Sequence, residues 1–185
     1  MSKADPCRVV TPEARLSYPY LFEKADPFDE SGEGKYQTNL IFAPGTDLSK
    51  MKAAASTAAR KKWGTDIPKN LKTPFRSGTE KDKEGYPDDC TFIAARSGDK
   101  PGVVVGPNQE PCLDPTEVYA GCYVRVSVTA FAWTRKGVNG VSFALNNVWK
   151  IRDGEPFGDR RSAEEDFAEV EVDSEAWGET AESLL

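Results

Sequence analysis

Apolar positions recur at two different spacings along this 185-residue chain, and the spacing sorts it into strands and one helix. From Arg8 to Phe22 the pattern reads as extended chain. Pro12 and Pro19 suit an edge or bulged strand, and Ala14, Leu16 and Tyr18 are placed on one face with Arg15 and Ser17 on the other. A polar turn, Asp26 to Gly34, leads into Lys35–Phe42, where Tyr36, Thr38, Leu40 and Phe42 share a face; the two segments read as an opening hairpin. Pro44-Gly45 breaks the alternation. Leu48, Met51, Ala55, Ala58, Ala59 and Trp63 then trace a helical stripe, with Asp47 or Thr46 as cap and Gly64 as stop. Arg60, Lys61 and Lys62 complement the negative end of the helix dipole. A long polar connection, Thr65 to Asp89, precedes short strands at Thr91–Arg96 and Val103–Val105. A proline-rich loop over Gly106–Pro115 and one helical turn at Thr116–Tyr119 follow.

The clearest alternation comes last. Cys122–Trp133 and Val141–Ile151 form a hairpin whose connection ends in Asn139-Gly140, a turn signal. Split by parity, the first strand has a core face of Cys122, Val124, Val126, Val128, Ala130 and Ala132. Its other face carries Tyr123, Arg125, Ser127, Thr129, Phe131, Trp133 and Arg135. An ordinary solvated face rarely exposes Phe and Trp together, and a buried one does not hold two arginines. In the partner strand Val141, Phe143 and Leu145 share a parity that Val148 breaks, so a bulge is expected at Asn146-Asn147. Past the slip, Trp149 falls on the open side, while Lys150 and Arg152 share the parity of Val148 and are expected off that face. About five strands, one helix and no βαβ alternation point to a mainly β chain, a small closed or half-open barrel.

Charge sharpens this picture. From Ser162 to Leu185 there are nine carboxylates and no lysine or arginine. The chain has 24 basic and 30 acidic residues, so residues 1–161 hold 24 cations against 21 carboxylates, a net +3. The expected division is a binding domain over 1–161 and a disordered acidic tail over 162–185. Such a tail is either a solubilising appendage or a regulator that competes for the body's cationic surface. No run is long enough to span a bilayer, and the N-terminus lacks a secretory pattern, so cytosolic residence is expected.

The chain has no histidine. That removes the commonest general base and the usual partner of a serine or cysteine nucleophile. Four cysteines at 7, 90, 112 and 122 form no Cys-x-x-Cys pair, and reduced thiols are expected, with Cys122 a small buried hydrophobe. Asp82, Asp88 and Asp89 have no spaced partner and are read as loop solvation rather than a Mg²⁺ site. No metal or cofactor is expected.

Aromatic planes interleaved with cations suit single-stranded nucleic acid: any base presents a π-face, and arginines neutralise phosphates. The competing reading is that Phe131 and Trp133 cover a second small core under the long loop, with the arginines at its rim. A weaker basic cluster, Lys69, Lys72, Phe75 and Arg76, lies in that loop and is placed to clamp a backbone.

Several segments, taken in series, carry a resemblance. They are Thr11-Pro-Glu-Ala-Arg-Leu-Ser-Tyr-Pro19, Lys35-Tyr36, Lys62-Trp63-Gly64 and Leu71-Lys-Thr-Pro-Phe-Arg-Ser-Gly78. Pro101-Gly-Val103, Val118-Tyr-Ala-Gly-Cys-Tyr-Val-Arg125, Gly140-Val-Ser-Phe-Ala-Leu-Asn-Asn-Val148 and Asp153-Gly-Glu-Pro-Phe-Gly158 complete the series. Over residues 11–158 the chain resembles a family of bacteriophage single-stranded DNA-binding proteins with an OB-fold. The resemblance implies a five-stranded barrel with a helix between strands. It also implies a non-catalytic protein that coats single-stranded DNA, with little sequence preference, during phage replication, recombination or repair in the host cytoplasm. Its acidic tail would meet phage or host replication proteins. RNA binding and a homo-oligomer are both compatible with the sequence. Carried onto this chain, the candidate contacts are Tyr36, Phe75, Arg76, Tyr123, Arg125, Phe131 and Trp133. The tail departs from the pattern of an apolar aromatic tip: it ends Ser-Leu-Leu, with Trp177 further in. The alternatives are a carboxylate-metal nuclease and a protein-interaction adaptor.

Overall fold

In a computed structural model that describes residues 4–27, 32–81, 85–157 and 167–171, the parity split of the long hairpin is the wall of a barrel. Among the described residues nine strands form one sheet: β1 (Arg8–Val10), β2 (Ala14–Tyr20), β3 (Tyr36–Phe42), β4 (Arg76–Ser77), β5 (Thr91–Ser97), β6 (Gly102–Val105), β7 (Glu110–Pro111), β8 (Tyr123–Arg135) and β9 (Val138–Arg152). Five of them close a ring. β2 pairs with β3, β3 with β5, β9 with β8, and β8 back with β2, all antiparallel. The seal is parallel, Ala95 beside Phe143 and Arg96 beside Ala144. Helix α1 (Ser49–Trp63) lies between the second and third ring strands. This connectivity is that of an OB-fold, as the sequence led us to expect. β1 extends the sheet beside β8; the β6–β7 hairpin extends it beside β9.

The core follows from the alternation. Leu16, Leu40, Phe42, Ile93, Ala95, Val124, Val126, Val128, Phe143 and Val148 point inward, and Met51, Ala54, Ala55, Ala58 and Ala59 of α1 pack against them. Small alanines let the helix lie close, and Met51 fills what they leave. The helix begins later than its pattern suggested: Leu48 holds the cap position with no side-chain bond, while the Asp47 carboxylate accepts from the Ser49 backbone N–H at 3.0 Å. Thr46 instead bonds back to the Ala43 carbonyl.

Four local expectations change. Tyr18 does not continue the inward row of Ala14 and Leu16. Its φ is +48°, the register slips between Ser17 and Tyr20, and its ring joins a satellite cluster outside the barrel. Buried Thr38 spans the slip by donating its hydroxyl to the Ser17 carbonyl at 2.9 Å. The hairpin turn is Lys136-Gly137, both with positive φ, as a two-residue type I′ turn requires. Asn139-Gly140 therefore lies inside β9. The connection after α1 is stitched down: Lys72 donates to Asn139 O and accepts from Val141 N–H, and Arg76-Ser77 pair with β5. The loop after β6 folds back as β7.

The bulge expected at Asn146-Asn147 is present: Ser127 faces Asn147 and Val128 faces Leu145. A second slip at Ile151 follows. Lys150 lies across from inward Val124, off the open face as its parity predicted, but Arg152 returns to the outer face across from Tyr123. The four cysteines are free thiols, Cys7, Cys90 and Cys122 buried. No helix among the described residues is long and apolar enough to cross a membrane. The acidic segment 162–185 lies almost wholly outside the described residues.

Candidate nucleic-acid interface

The outer face of β8 and β9 is built by register. Its facing pairs are Arg125 with Trp149, Ser127 with Asn147, Thr129 with Ala144, Phe131 with Ser142, Trp133 with Gly140 and Arg135 with Val138. At about 3.4 Å per residue, Arg125 to Arg135 spans roughly 30 Å. Phe131 is 44% exposed, so it does not cover a hidden core. Arg125 and Arg135 are exposed, and Trp133 is half-buried.

Trp133 is held rather than loose. Its indole N–H donates to Ser142 Oγ at 2.8 Å. Its benzo ring lies over Gly140, where an added β-carbon would meet Cζ2 at 2.3 Å. With its polar atom satisfied and its position fixed, the ring is pre-organised, which lowers the ordering cost of a ligand stacking there. Trp149 is fixed in the same manner, donating to the Gly106 carbonyl at 2.8 Å.

The remaining candidates are engaged within the protein. Tyr123 shares the face, but the Arg152 guanidinium covers its ring at 3.6 Å and Arg15 stands 5.5 Å away. Arg152 also pairs with Glu13 at 2.7 Å, which favours its charged form. Phe75 sets its ring edge-on to Phe143 at 5.8 Å and seals the barrel wall. Tyr36 has the inward parity of Leu40 and Phe42 and packs at the rim of the core, with Lys24 Nζ 5.8 Å from its ring. Arg76 lies 5.1 Å over Phe92 and pairs with Glu80, whose carboxyl is held below its ordinary value by that bond. The structure thus gathers Arg125, Phe131 and Trp133, and separates them from Tyr36, Phe75 and Arg76.

OB-folds generally bind oligonucleotides on the outside of the second and third barrel strands, here β3 and β5. One end of that face is roofed: Ile41 and Phe92 lie under Tyr86, Tyr18 and Phe157. Phe157 belongs to a strap that includes residues 153–157. Arg15 donates to the Glu155 carbonyl at 2.6 Å and lies 4.2 Å from the Phe157 ring. The Asp153 carboxylate accepts from Lys150 Nζ at 2.6 Å and from the Tyr119 hydroxyl at 2.9 Å, and these bonds hold it below the ordinary aspartate value. The other end of the face, Gln37 and Arg96, adjoins Ala144 of β9.

The strands themselves are one-signed. Outside the two-residue β7, they hold eight arginines or lysines and no carboxylate. Among the described residues no group of acids or thiols is arranged to hold a metal ion; Asp82 lies outside them. Sequence reasoning missed Arg8 and Arg96, which outward parity in two short strands could have flagged, and the paired roles of Ser142 and Gly140, which only the register reveals.

An OB-fold barrel with an exposed aromatic and cationic outer face defines a class of oligonucleotide-binding module. The particular family follows from comparison. The sequence pattern of the family described as "Enterobacter phage Enc34, ssDNA-binding protein" matches residues 7–177, and the chain belongs to that family. Among solved structures, the single-stranded DNA-binding protein from bacteriophage Enc34 in complex with ssDNA is 22% identical, with a TM-score of 0.68 over 85% of this chain and 97% of that one. A C-terminal truncation of the Enc34 protein matches at TM-score 0.65 with 22% identity, over 85% of this chain and 96% of that one. The gp2.5 single-stranded DNA-binding protein encoded by bacteriophage T7 matches at 0.60 with 14% identity, over 90% of this chain and 96% of that one. A search of curated proteins found no match.

Proposed function

We propose that this chain is a non-catalytic single-stranded DNA-binding protein of a bacteriophage. It coats exposed strands with little sequence preference during replication, recombination or repair. The observation that carries the reading is the outer face of β8 and β9, where Phe131 and a pinned Trp133 stand between Arg125 and Arg135 with no carboxylate on either strand. Family membership supports the same reading. Phe131 and Trp133 act as stacking surfaces, Trp149 extends them, and the arginines neutralise phosphates. We place Tyr36 and Phe75 as supports of the barrel, and Tyr123 as a partner of Arg15 and Arg152. The tail beyond Arg161 screens the cationic face and offers a charged docking segment to replication proteins.

The test is a titration of oligo-dT with wild type and with Phe131→Ala/Trp133→Ala. Stacking is worth about 1–3 kcal/mol per base by substitution, so the double variant should lose about 2–6 kcal/mol of affinity while keeping the wild-type far-UV spectrum. A folded double variant that binds as wild type refutes the stacking assignment.

A further inference from the structure

The ladder registers of four strands line up. Arg96 of β5 lies beside Ala144 of β9, Ala144 faces Thr129 of β8, and Thr129 faces Arg8 of β1. All four share the outer side, because their sequence neighbours Ala95, Phe143 and Val128 are core residues and Val9 packs against that core. Arg8 and Arg96 are exposed, and three strand spacings of about 4.8 Å set their backbones roughly 14 Å apart. Between them the surface is floored by an alanine and a threonine. On one side rise Phe131 and Trp133. On the other stand the amides of Asn146, which donates to Thr129 Oγ1 at 2.9 Å, and Asn147. The row is a trough with a cation at each end, rings on one bank and amides on the other.

We infer that a single strand of nucleic acid crosses the β-strands along this row, with Arg96 and Arg8 holding successive parts of its phosphate thread and the bases leaning onto Phe131 and Trp133. This rests on the single-stranded DNA reading and adds a direction and two contacts to it. It also gives β1, which lies outside the barrel ring, a role in extending the trough. A thread lying lengthwise on β8 would instead mount the two rings and then leave them for a stretch of Thr129, Ser127 and amides.

The experiment is the salt dependence of oligo-dT binding by the full chain. Each neutralised phosphate contributes about 0.7 to the slope of log K against log salt. Arg8→Ala and Arg96→Ala should each flatten the slope by about 0.7. The pair should flatten it by about 1.4, since sites this far apart act additively. Arg60→Ala, at the end of α1, should leave the slope unchanged. If Arg125→Ala/Arg135→Ala flattens the slope while Arg8→Ala/Arg96→Ala does not, the thread runs along β8 and the crossing path is overturned with the binding function intact. If wild type itself does not bind oligo-dT, the underlying reading fails instead.

Discussion

Replacing Gly140 with alanine perturbs one contact and little else. The glycine does not have the positive φ that would make a side chain strained, so its backbone accepts alanine. The new methyl would meet Trp133 Cζ2 at 2.3 Å and Cε2 at 2.6 Å, separations real β-carbons do not adopt, and Cη2 at a tight 3.0 Å. The indole must tilt away, and tilting breaks its 2.8 Å bond to Ser142. That bond is worth about 0.5–1.5 kcal/mol net, which bounds the stability loss from the bond itself. Binding loses more: a displaced ring forfeits up to one stack, about 1–3 kcal/mol, or roughly 5- to 150-fold in Kd. Fluorescence anisotropy on oligo-dT, alongside urea denaturation, reads both effects. In a Trp133→Ala background, Gly140→Ala should have no further effect on affinity, because the ring it would push is gone. If Gly140→Ala binds as wild type, or weakens binding equally in both backgrounds, the pinned-ring reasoning is wrong.

Truncation after Arg161 should tighten oligo-dT binding, most at low ionic strength where charges are least screened; identical titrations of the two forms across salt would leave the tail no screening role. Thr38→Val removes the hydroxyl that satisfies the Ser17 carbonyl at the β2 bulge and should destabilise by about 1–3 kcal/mol in denaturant titration. Asp153 has a folded pKa below the ordinary 3.8, so its contribution to the strap is present above that value and lost as pH falls through the folded pKa. The protection of the Gly154 and Phe157 amides, taken relative to the intrinsic exchange rate at each pH, should therefore fall in acid, and Asp153→Asn should remove most of that pH dependence.

Strict alternation made β8 legible from sequence, because a half-buried strand must place its core residues two apart. The helix was equally plain from its alanine-rich stripe. What alternation could not place were the slips. A single positive φ at Tyr18 and an extra residue at Ile151 each reverse the facing of everything beyond them, and neither is written in hydrophobicity. Asn139-Gly140 misled for a related reason: it is a common turn pair, yet the glycine is needed where it stands so that Trp133 can lie over it. Tyr36 and Phe75 have the composition of stacking residues, and only contacts across the barrel reveal that their rings pack against the core. Arg8 and Arg96 were overlooked because each lies in a short strand whose neighbour in space is far away in sequence.

Four of the arginines and lysines in the strands have identified partners within the protein. Arg15, Arg152, Lys150 and Arg76 are spent within the protein, on Glu155 and Phe157, on Glu13 and Tyr123, on Asp153 and Tyr119, and on Glu80. The first three cluster where the C-terminal strap crosses the barrel. Arg8, Arg96, Arg125 and Arg135 are exposed on the outer face, at positions fixed by the ladder. A ligand that needs several cations at set separations finds the exposed four already arranged, whereas removing Arg15, Lys150 or Arg152 loosens the strap. Arg152→Ala should accordingly lower stability and leave the salt slope of DNA binding unchanged. Arg125→Ala should do the reverse, lowering the slope by about 0.7 at wild-type stability. Should both variants alter the slope alike, the division between structural and ligand-facing cations does not hold, and a diffuse field from the whole barrel, rather than set positions, governs binding.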